Sequence, residues 1–434
     1  MEIKLPEDVN DIINLLTSHG YEAYAVGGCI RDSLLGLKPE DWDITTSAKP
    51  YEVKKVFKRT VDTGIKHGTV TVLYGKDGYE VTTYRIDGEY EDNRHPKSVE
   101  FTSDLANDLK RRDFTINAMA YNNHDGLVDL FGGMEDLKKG VIRCVGNPLH
   151  RFEEDALRIL RAFRFSAQLN FNIEEETYQA ACLRKENLQN ISAERIRTEL
   201  NKLLISHHPE KLIDIYKSGI SAIILWEFDS LMKTPHPNLK DESLGSYAVK
   251  TLQALDKLVE TNIEISLNGK LNLSSKWTLL LHQLTGDSNN AKRVLRRLKF
   301  DNETIDKTRR LVNWIDIPFT LTDYGMRKAI NQIGGDLIEG LFIVKTAKLK
   351  AFSKGSKESQ DDLFEAWDIY KKIVERGDCT DLSKLEINGK DLIALGYKPG
   401  KSLGSTLEYL LDQVLKDPSL NQKDILKEIA KNYL

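Results

Sequence analysis

Asp41 and Asp43 stand one residue apart in the stretch VGGCIRDSLLGLKPEDWDITT, Val26–Thr46. Side chains of extended backbone alternate with period two, so carboxylates at this spacing share one side. Like charges that close repel unless something neutralises them. A divalent cation does so: Mg²⁺ is typically held by one or two carboxylates plus substrate phosphates. Two such ions can clamp the attacking and leaving oxygens of an in-line phosphoryl transfer. The residues upstream suit the same chemistry. Gly27 and Gly28 follow the β-like run YEAYAV, where bare backbone can approach a phosphate and amides can cradle it. Arg31 follows at what reads as a helix start and is placed to pair with phosphate. Taken singly, the aspartates are ordinary turn composition and Gly-Gly an ordinary tight turn. Their combination is far more specific.

These residues need a scaffold that sets a loop beside a strand. The first 147 residues alternate β-like and helical runs. GTVTVLYGKDGYEVTTYR reads as a hairpin, with GKDG as turn residues between β-branched runs. LPEDVNDIINLLTSHG reads as a helix ended by Gly20. Beyond Pro148 the pattern is helical, with 3.6-residue periodicity in EEDALRILRAFRFSAQL, ISAERIRTELNKLL and KRVLRRLKF. The expected fold is an α+β head, a small mixed sheet with helices, over residues 1–147. An all-α neck (148–220), body (221–350) and tail (351–434) follow. Two polar stretches, Thr234–Ser246 and Phe352–Asp362, are further candidate boundaries.

Composition narrows the classes. The chain has 434 residues, 40% of them apolar, enough for real cores. Its net charge of -4 gives no global sign of nucleic-acid binding, so any RNA surface must be a local basic patch. Lys292–Arg310 is the best such patch, fit to grip phosphates without reading sequence. The four cysteines are far apart with no CxxC, which points to a reducing cytoplasm and no structural zinc. No apolar run reaches the roughly 18–20 residues of a membrane span, and the N-terminus lacks a signal-peptide layout.

The signature GGCIRD…DWDITT resembles the head of class II template-independent nucleotidyltransferases of the polymerase-β superfamily. That group comprises tRNA nucleotidyltransferases (CCA-adding enzymes) and bacterial poly(A) polymerases. The resemblance implies that Asp41 and Asp43 are catalytic and hold two Mg²⁺ ions. An RNA 3′-hydroxyl would attack the α-phosphate of CTP or ATP, and pyrophosphate would leave. It places Gly28 and Arg31 on the nucleotide, with Gly27 in support. RRDFTINAMAY (Arg111–Tyr121) resembles the family's RRDxxxN motif, which implies Arg112 on the nucleotide, Asn117 toward the ribose and Asp113 in support.

RFEEDALRILRAFRF (Arg151–Phe165) resembles the motif that selects the base. On one continuous helix, Ala156, Ile159, Leu160, Phe163 and Ala167 form a core face. Glu154, Arg158 and Arg161 lie opposite, with Asp155 and Arg164 on the flanks. A solvated face with a Glu154–Arg158 pair would look the same. Chemistry favours more. Cytosine and adenine each show an amino donor beside an unprotonated ring nitrogen; uracil and guanine show a carbonyl beside a ring N–H. Aspartate only accepts and arginine only donates. Asp155 with Arg158 therefore accepts C and A, and rejects U and G by leaving polar groups unpaired. The resemblance adds Arg161 and Arg164 as nucleotide contacts and Glu154 as support. ERIRTE (Glu194–Glu199) resembles the ERxxxE motif that braces this helix, through Glu194, Arg195 and Glu199.

Within the family, EDNRHP in the polar stretch between Arg85 and Lys110 reads as the flexible loop associated with A addition. Enzymes that add only CC are shortened there. TGIKHGTV (Thr63–Val70) resembles the CCA-adding form, whereas poly(A) polymerases carry a more basic, aromatic-rich segment. The expected activity is addition of CCA to tRNA; an A-adding-only enzyme or poly(A) polymerase is the alternative. The partners implied are the tRNA acceptor end, CTP and ATP. A second copy of the chain is a further candidate; a membrane is not. His124-Asp125 is set aside as Asp-Gly turn chemistry, Cys29 as a nucleophile without a base, and His67 as structural. Glu80 lies near the expected active-site strands.

Overall fold

The computed structural model describes residues 2–88, 99–261, 269–284, 288–352 and 358–433. Cα packing divides the chain into two units, Met1–Asp229 and Ser230–Leu434. The first unit holds the sheet. Its strands are β1 (Ala23–Val26), β2 (Ile44–Thr46), β3 (Thr60–Gly64), β4 (Thr69–Tyr74) and β5 (Asp77–Thr83). A pair, β6 (Arg85–Asp87) and β7 (Val99–Phe101), stands apart, and β8 (Met119–Asn122) and β9 (Gly126–Asp129) complete the sheet. The order is β3-β4-β5-β2-β1-β8-β9. Only β2 and β5 run parallel; the other neighbours are antiparallel. The head is thus the small mixed sheet expected.

Local chemistry accounts for these elements. β1, AYAV, is buried along its whole length because it lies inside the sheet. Helix α1 (Glu7–Ser18) buries Val9, Ile12, Ile13 and Leu16, the apolar stripe of an amphipathic helix. Gly20 at φ +87° follows it. The β4–β5 hairpin closes with Tyr74 opposite Asp77, and Gly75 supplies φ +61° at the first turn position. The stretch between Arg85 and Lys110, read from sequence as loop, carries β6, β7 and helix α4 (Leu105–Lys110). Its EDNRHP segment, residues 91–96, lies outside the described residues.

The neck of this unit is helical, with one exception: Asn172–Ile173 pairs in parallel with Val141–Ile142. Two expectations need correction. β2 begins at Ile44, so Asp41 and Asp43 lie in the extended segment leading into it rather than on the strand. The helix expected through Arg151–Phe165 is broken. Helix α5 (Gly133–Lys139) is followed by α6 (Pro148–Glu154), then Asp155 at φ −135°, ψ 103°, then α7 (Leu157–Leu169).

The regular elements of the second unit are all helices among its described residues, and one isolated bridge pairs Pro235 with Ser243. Trp277, Leu252, Leu311 and Leu341 are fully buried. Lys345 is also buried, and pairs with Glu358 at 2.7 Å. Ile387, Leu392, Leu410, Val414 and Leu426 form the core of its last segment. Among the described residues no helix is long and apolar enough to cross a membrane.

Candidate active site

The glycine loop and the aspartates are held together by backbone. Val26 N–H donates to Asp43 C=O at 2.9 Å, and Gly27 N–H donates to Met119 C=O at 3.2 Å. Gly27 sits at φ +85°, and Gly28 opens helix α2 (Gly28–Leu34), which carries Arg31. A Cβ on Gly27 would stand 3.0 Å from Arg112 Nη1, so the Arg112 guanidinium lies against the loop. Gly27→Ala is therefore expected to cost about 1–3 kcal/mol through the strained φ. It should also push Arg112 aside. A lower melting temperature with a CTP KM raised roughly tenfold would bear this out; an unchanged KM would not.

Arg112 is positioned by a residue that motif reading did not single out. Asp108 is fully buried on α4 and accepts from Arg111 at 2.7 and 2.9 Å, Thr45 at 3.1 Å and Arg112 at 3.4 Å. Burial alone would raise its carboxyl, but Arg112 and Arg111 outweigh it and hold it low. Its helical spacing, three and four residues before the two arginines, is a signal visible in NDLKRRD.

Desolvation lifts the Asp43 carboxyl above the usual carboxylate range; Arg112 pulls it down and Asp41 pushes it up. Glu80, adjacent to the β5 residue Val81 that pairs with Ile44, is raised by desolvation and by Asp43 and Asp41. The carboxylates thus crowd one another with excess negative charge, which is the condition a divalent cation relieves. Among the described residues, no three or more His, Cys, Asp or Glu side chains are arranged to hold a metal by themselves. Asp41 and Asp43 fit Mg²⁺ in the mode where phosphate oxygens and water complete the shell. Burial, then the charge of Asp43, pushes the Cys29 thiol up to about 12, so it stays protonated and unreactive. His124 and Asp125 bond each other in the turn after β8, and Asp125 accepts from Tyr24.

A chain of side chains joins head to neck. Arg31 Nη1 donates to Asn117 Oδ1 at 2.7 Å, and Asn117 Nδ2 donates to Asp113 Oδ1 at 3.2 Å. Arg161 Nε donates to Asp113 Oδ2 at 2.7 Å. Burial would raise the Asp113 carboxyl, but Arg161 wins and holds it at about 2. Asn117 is only 6% exposed and bridges Arg31 to Asp113.

Ala156 at the start of α7, and Ile159, Leu160, Phe163 and Ala167 along it, are buried as expected, but Arg158 and Arg164 are buried too. Their charges are satisfied inside. Arg158 donates to Glu154 at 2.5 Å and to Arg111 C=O at 3.0 Å. Arg164 pairs with Glu199 at 2.6 Å. Asp155, in the break between helices, accepts from Leu157 N–H and from Arg195, both at 3.0 Å. Helix α8 (Glu175–Arg184) and then α9 (Ala193–Leu204) complete the neck. The α9 residues Arg195 and Glu199 reach out to Asp155 and Arg164 instead of pairing with each other. Glu194 stays exposed in the first turn of α9.

Residues 23–143 match the family model of the Poly A polymerase head domain, and residues 272–430 match tRNA nucleotidyltransferase domain 2. The chain is 36% identical over 429 residues to the CCA-adding enzyme of Lactobacillus helveticus, covering 97% of this chain and 96% of that one. The chain belongs to the CCA-adding enzyme family. A solved CCA-adding enzyme of Bacillus stearothermophilus in complex with CTP shares its fold at a TM-score of 0.76, with 30% identity, covering 98% of this chain and 97% of that one. A CCA-adding enzyme structure with ATP matches at a TM-score of 0.63 with 25% identity, over 97% and 92% of the two chains. Family membership accounts for the head and for its continuation into a helical remainder.

Proposed function

We propose that the chain adds C, C and A to the 3′ end of tRNA without a nucleic-acid template, using CTP and ATP and releasing pyrophosphate. The observation that carries this reading is the run of side chains from Arg31 through Asn117 and Asp113 to Arg161 within one unit, in a chain that aligns with CCA-adding enzymes over 97% of its length. Asp41 and Asp43 would hold Mg²⁺, which when bound supplies charge stabilisation at the transferred phosphate and activates the 3′-hydroxyl. Gly28, Arg31 and Arg112 would receive the triphosphate, with Gly27 letting Arg112 approach.

Asp155 and Arg158 would read the base edge. Their present partners limit how. A carboxylate oxygen has two lone pairs, so Asp155 can keep Arg195 and still accept from an exocyclic amine. Arg161 and Arg164 would contact the nucleotide, held in place by Asp113 and Glu199. The division into head (1–147), neck (148–220), body (221–350) and tail (351–434) would assign chemistry, base choice and tRNA holding in that order. In the basic patch, Arg309 and Arg310 are occupied by Asp306, while Arg293, Arg296 and Lys299 are exposed. Those three are the better candidates for tRNA phosphates. A cytoplasmic location is part of this reading and agrees with four free cysteines.

The test is a tRNA transcript ending at the discriminator base, incubated with protein, Mg²⁺ and CTP, ATP or both. Two residues added with CTP and three with both are expected. A single A added only to a transcript already ending in CC would make the chain an A-adding enzyme.

A further inference from the structure

Phe165 lies at the meeting point of three guanidinium groups. Arg164 Cζ is 3.9 Å from its ring centroid, Arg31 Cζ 4.9 Å and Arg161 Cζ 5.3 Å. The ring is 5% exposed and packs edge-on against Phe114, with centroids 5.8 Å apart at 82°. Arg31 comes from α2 in the head, whereas Arg161 and Arg164 come from α7 in the neck. Like charges brought this close repel. Burial holds Arg164 down to about 10, with Glu199 and Asp113 opposing and Arg161 and Arg31 adding to the fall. An aromatic face attracts each cation without neutralising it. Each guanidinium also meets a carboxylate from another direction: Arg31 meets Asp32 at 2.7 Å, Arg161 meets Asp113 at 2.6 Å and Arg164 meets Glu199 at 2.6 Å.

We propose that Phe165 is a positioning residue for nucleotide binding: its ring gathers Arg31, Arg161 and Arg164 into one cluster and fixes where the three guanidinium groups stand. This deepens the proposed function and rests on these arginines meeting the incoming nucleotide. Phe114 braces the ring edge-on. Phe114 itself is anchored by its N–H, which donates to Asp113 at 2.9 Å. Asp113 also binds Arg161, so one carboxylate sets both the ring's support and one of its cations.

The test compares Phe165→Leu, Phe165→Met and Phe165→Tyr in the full chain. CTP affinity is read by titration in Mg²⁺, incorporation by KM for CTP and for tRNA, and folding by thermal melting. Phe165→Leu and Phe165→Met should each raise the CTP dissociation constant and KM roughly tenfold, with the tRNA KM unchanged, and Phe165→Tyr should restore CTP binding. Unchanged CTP affinity in both aliphatic variants would overturn the proposal. So would a matched loss of CTP and tRNA binding that Phe165→Tyr does not rescue, because that is the behaviour of a packing residue. Wild-type protein that binds CTP but adds nothing to tRNA would sink the proposed function and leave the role of Phe165 to the titration.

Discussion

Alanine at Asp41 or Asp43 is expected to lower nucleotide incorporation by at least roughly 1,000-fold while leaving tRNA affinity within about threefold. The two carboxylates would carry the metal, and the metal supplies several kcal/mol of charge stabilisation at the phosphate. Binding of tRNA depends on cationic surface elsewhere, so it should survive. The structure adds a second readout. Asp43 sits where desolvation and Asp41 disfavour its charge, so the site costs folding energy in the absence of a cation. Asp43→Asn should therefore melt at the same temperature as the parent or higher, and should lose most of the parent's stabilisation by Mg²⁺ plus CTP. An active Asp43→Asn enzyme would remove these residues from the chemistry. A variant with a depressed melting point and no tRNA binding would show them to be structural.

The second large effect is on fidelity. Asp155→Ala should reduce the preference for CTP over UTP by at least roughly 100-fold, since rejection depends on polar groups left unpaired by the wrong base. Asp155→Asn is the sharper variant. Its amide offers donors as well as an acceptor, so it can meet the carbonyl of uracil or guanine. It should relax the rejection of UTP and GTP only in part, because Arg158 still opposes their ring N–H, while keeping the break between α6 and α7 intact. Single-nucleotide primer extension with each of the four triphosphates separates the outcomes. Continued rejection of UTP and GTP by both variants would mean that another group reads the base. Arg195→Ala supplies the control. It removes the partner of Asp155 without removing the acceptor, so base choice should persist with weaker overall binding.

Much of this arrangement was legible in residue order. The apolar stripe of α1, the β4–β5 turn at Gly75 and the core face of α7 are periodic, local signals that neighbouring residues are sufficient to produce. The GG loop, the aspartate pair, RRD and EDxxR were visible because each chemistry needs particular groups at close spacing. What was not legible had long-range causes. Nothing near Asp155 in sequence announces the helix break, whose extended residue is held by Arg195 forty positions away. Arg158 and Arg164 read as nucleotide contacts lying off the core face, and their burial was not legible: Glu154, Glu199 and the Arg111 carbonyl meet them inside. Asn117 read as a residue toward the ribose, and its bonds to Arg31 and Asp113, at both ends of its amide, join residues far apart in the chain.

By itself the sequence determined which chemistry the chain is equipped for. Functional groups are covalent facts, and their spacing on a strand or helix follows from backbone geometry. It also determined where sheet gives way to helix, because periodicity is local. Only the tertiary structure decided which charges meet. Sheet order placed β2 between β1 and β5, bringing Asp43 beside the GG loop and Glu80 near both aspartates. Packing of α7 against the head brought Arg31, Arg161 and Arg164 around Phe165. Ion pairs and cation–ring contacts depend on distances of a few ångströms between residues far apart in the chain, and those distances exist only once the core has closed.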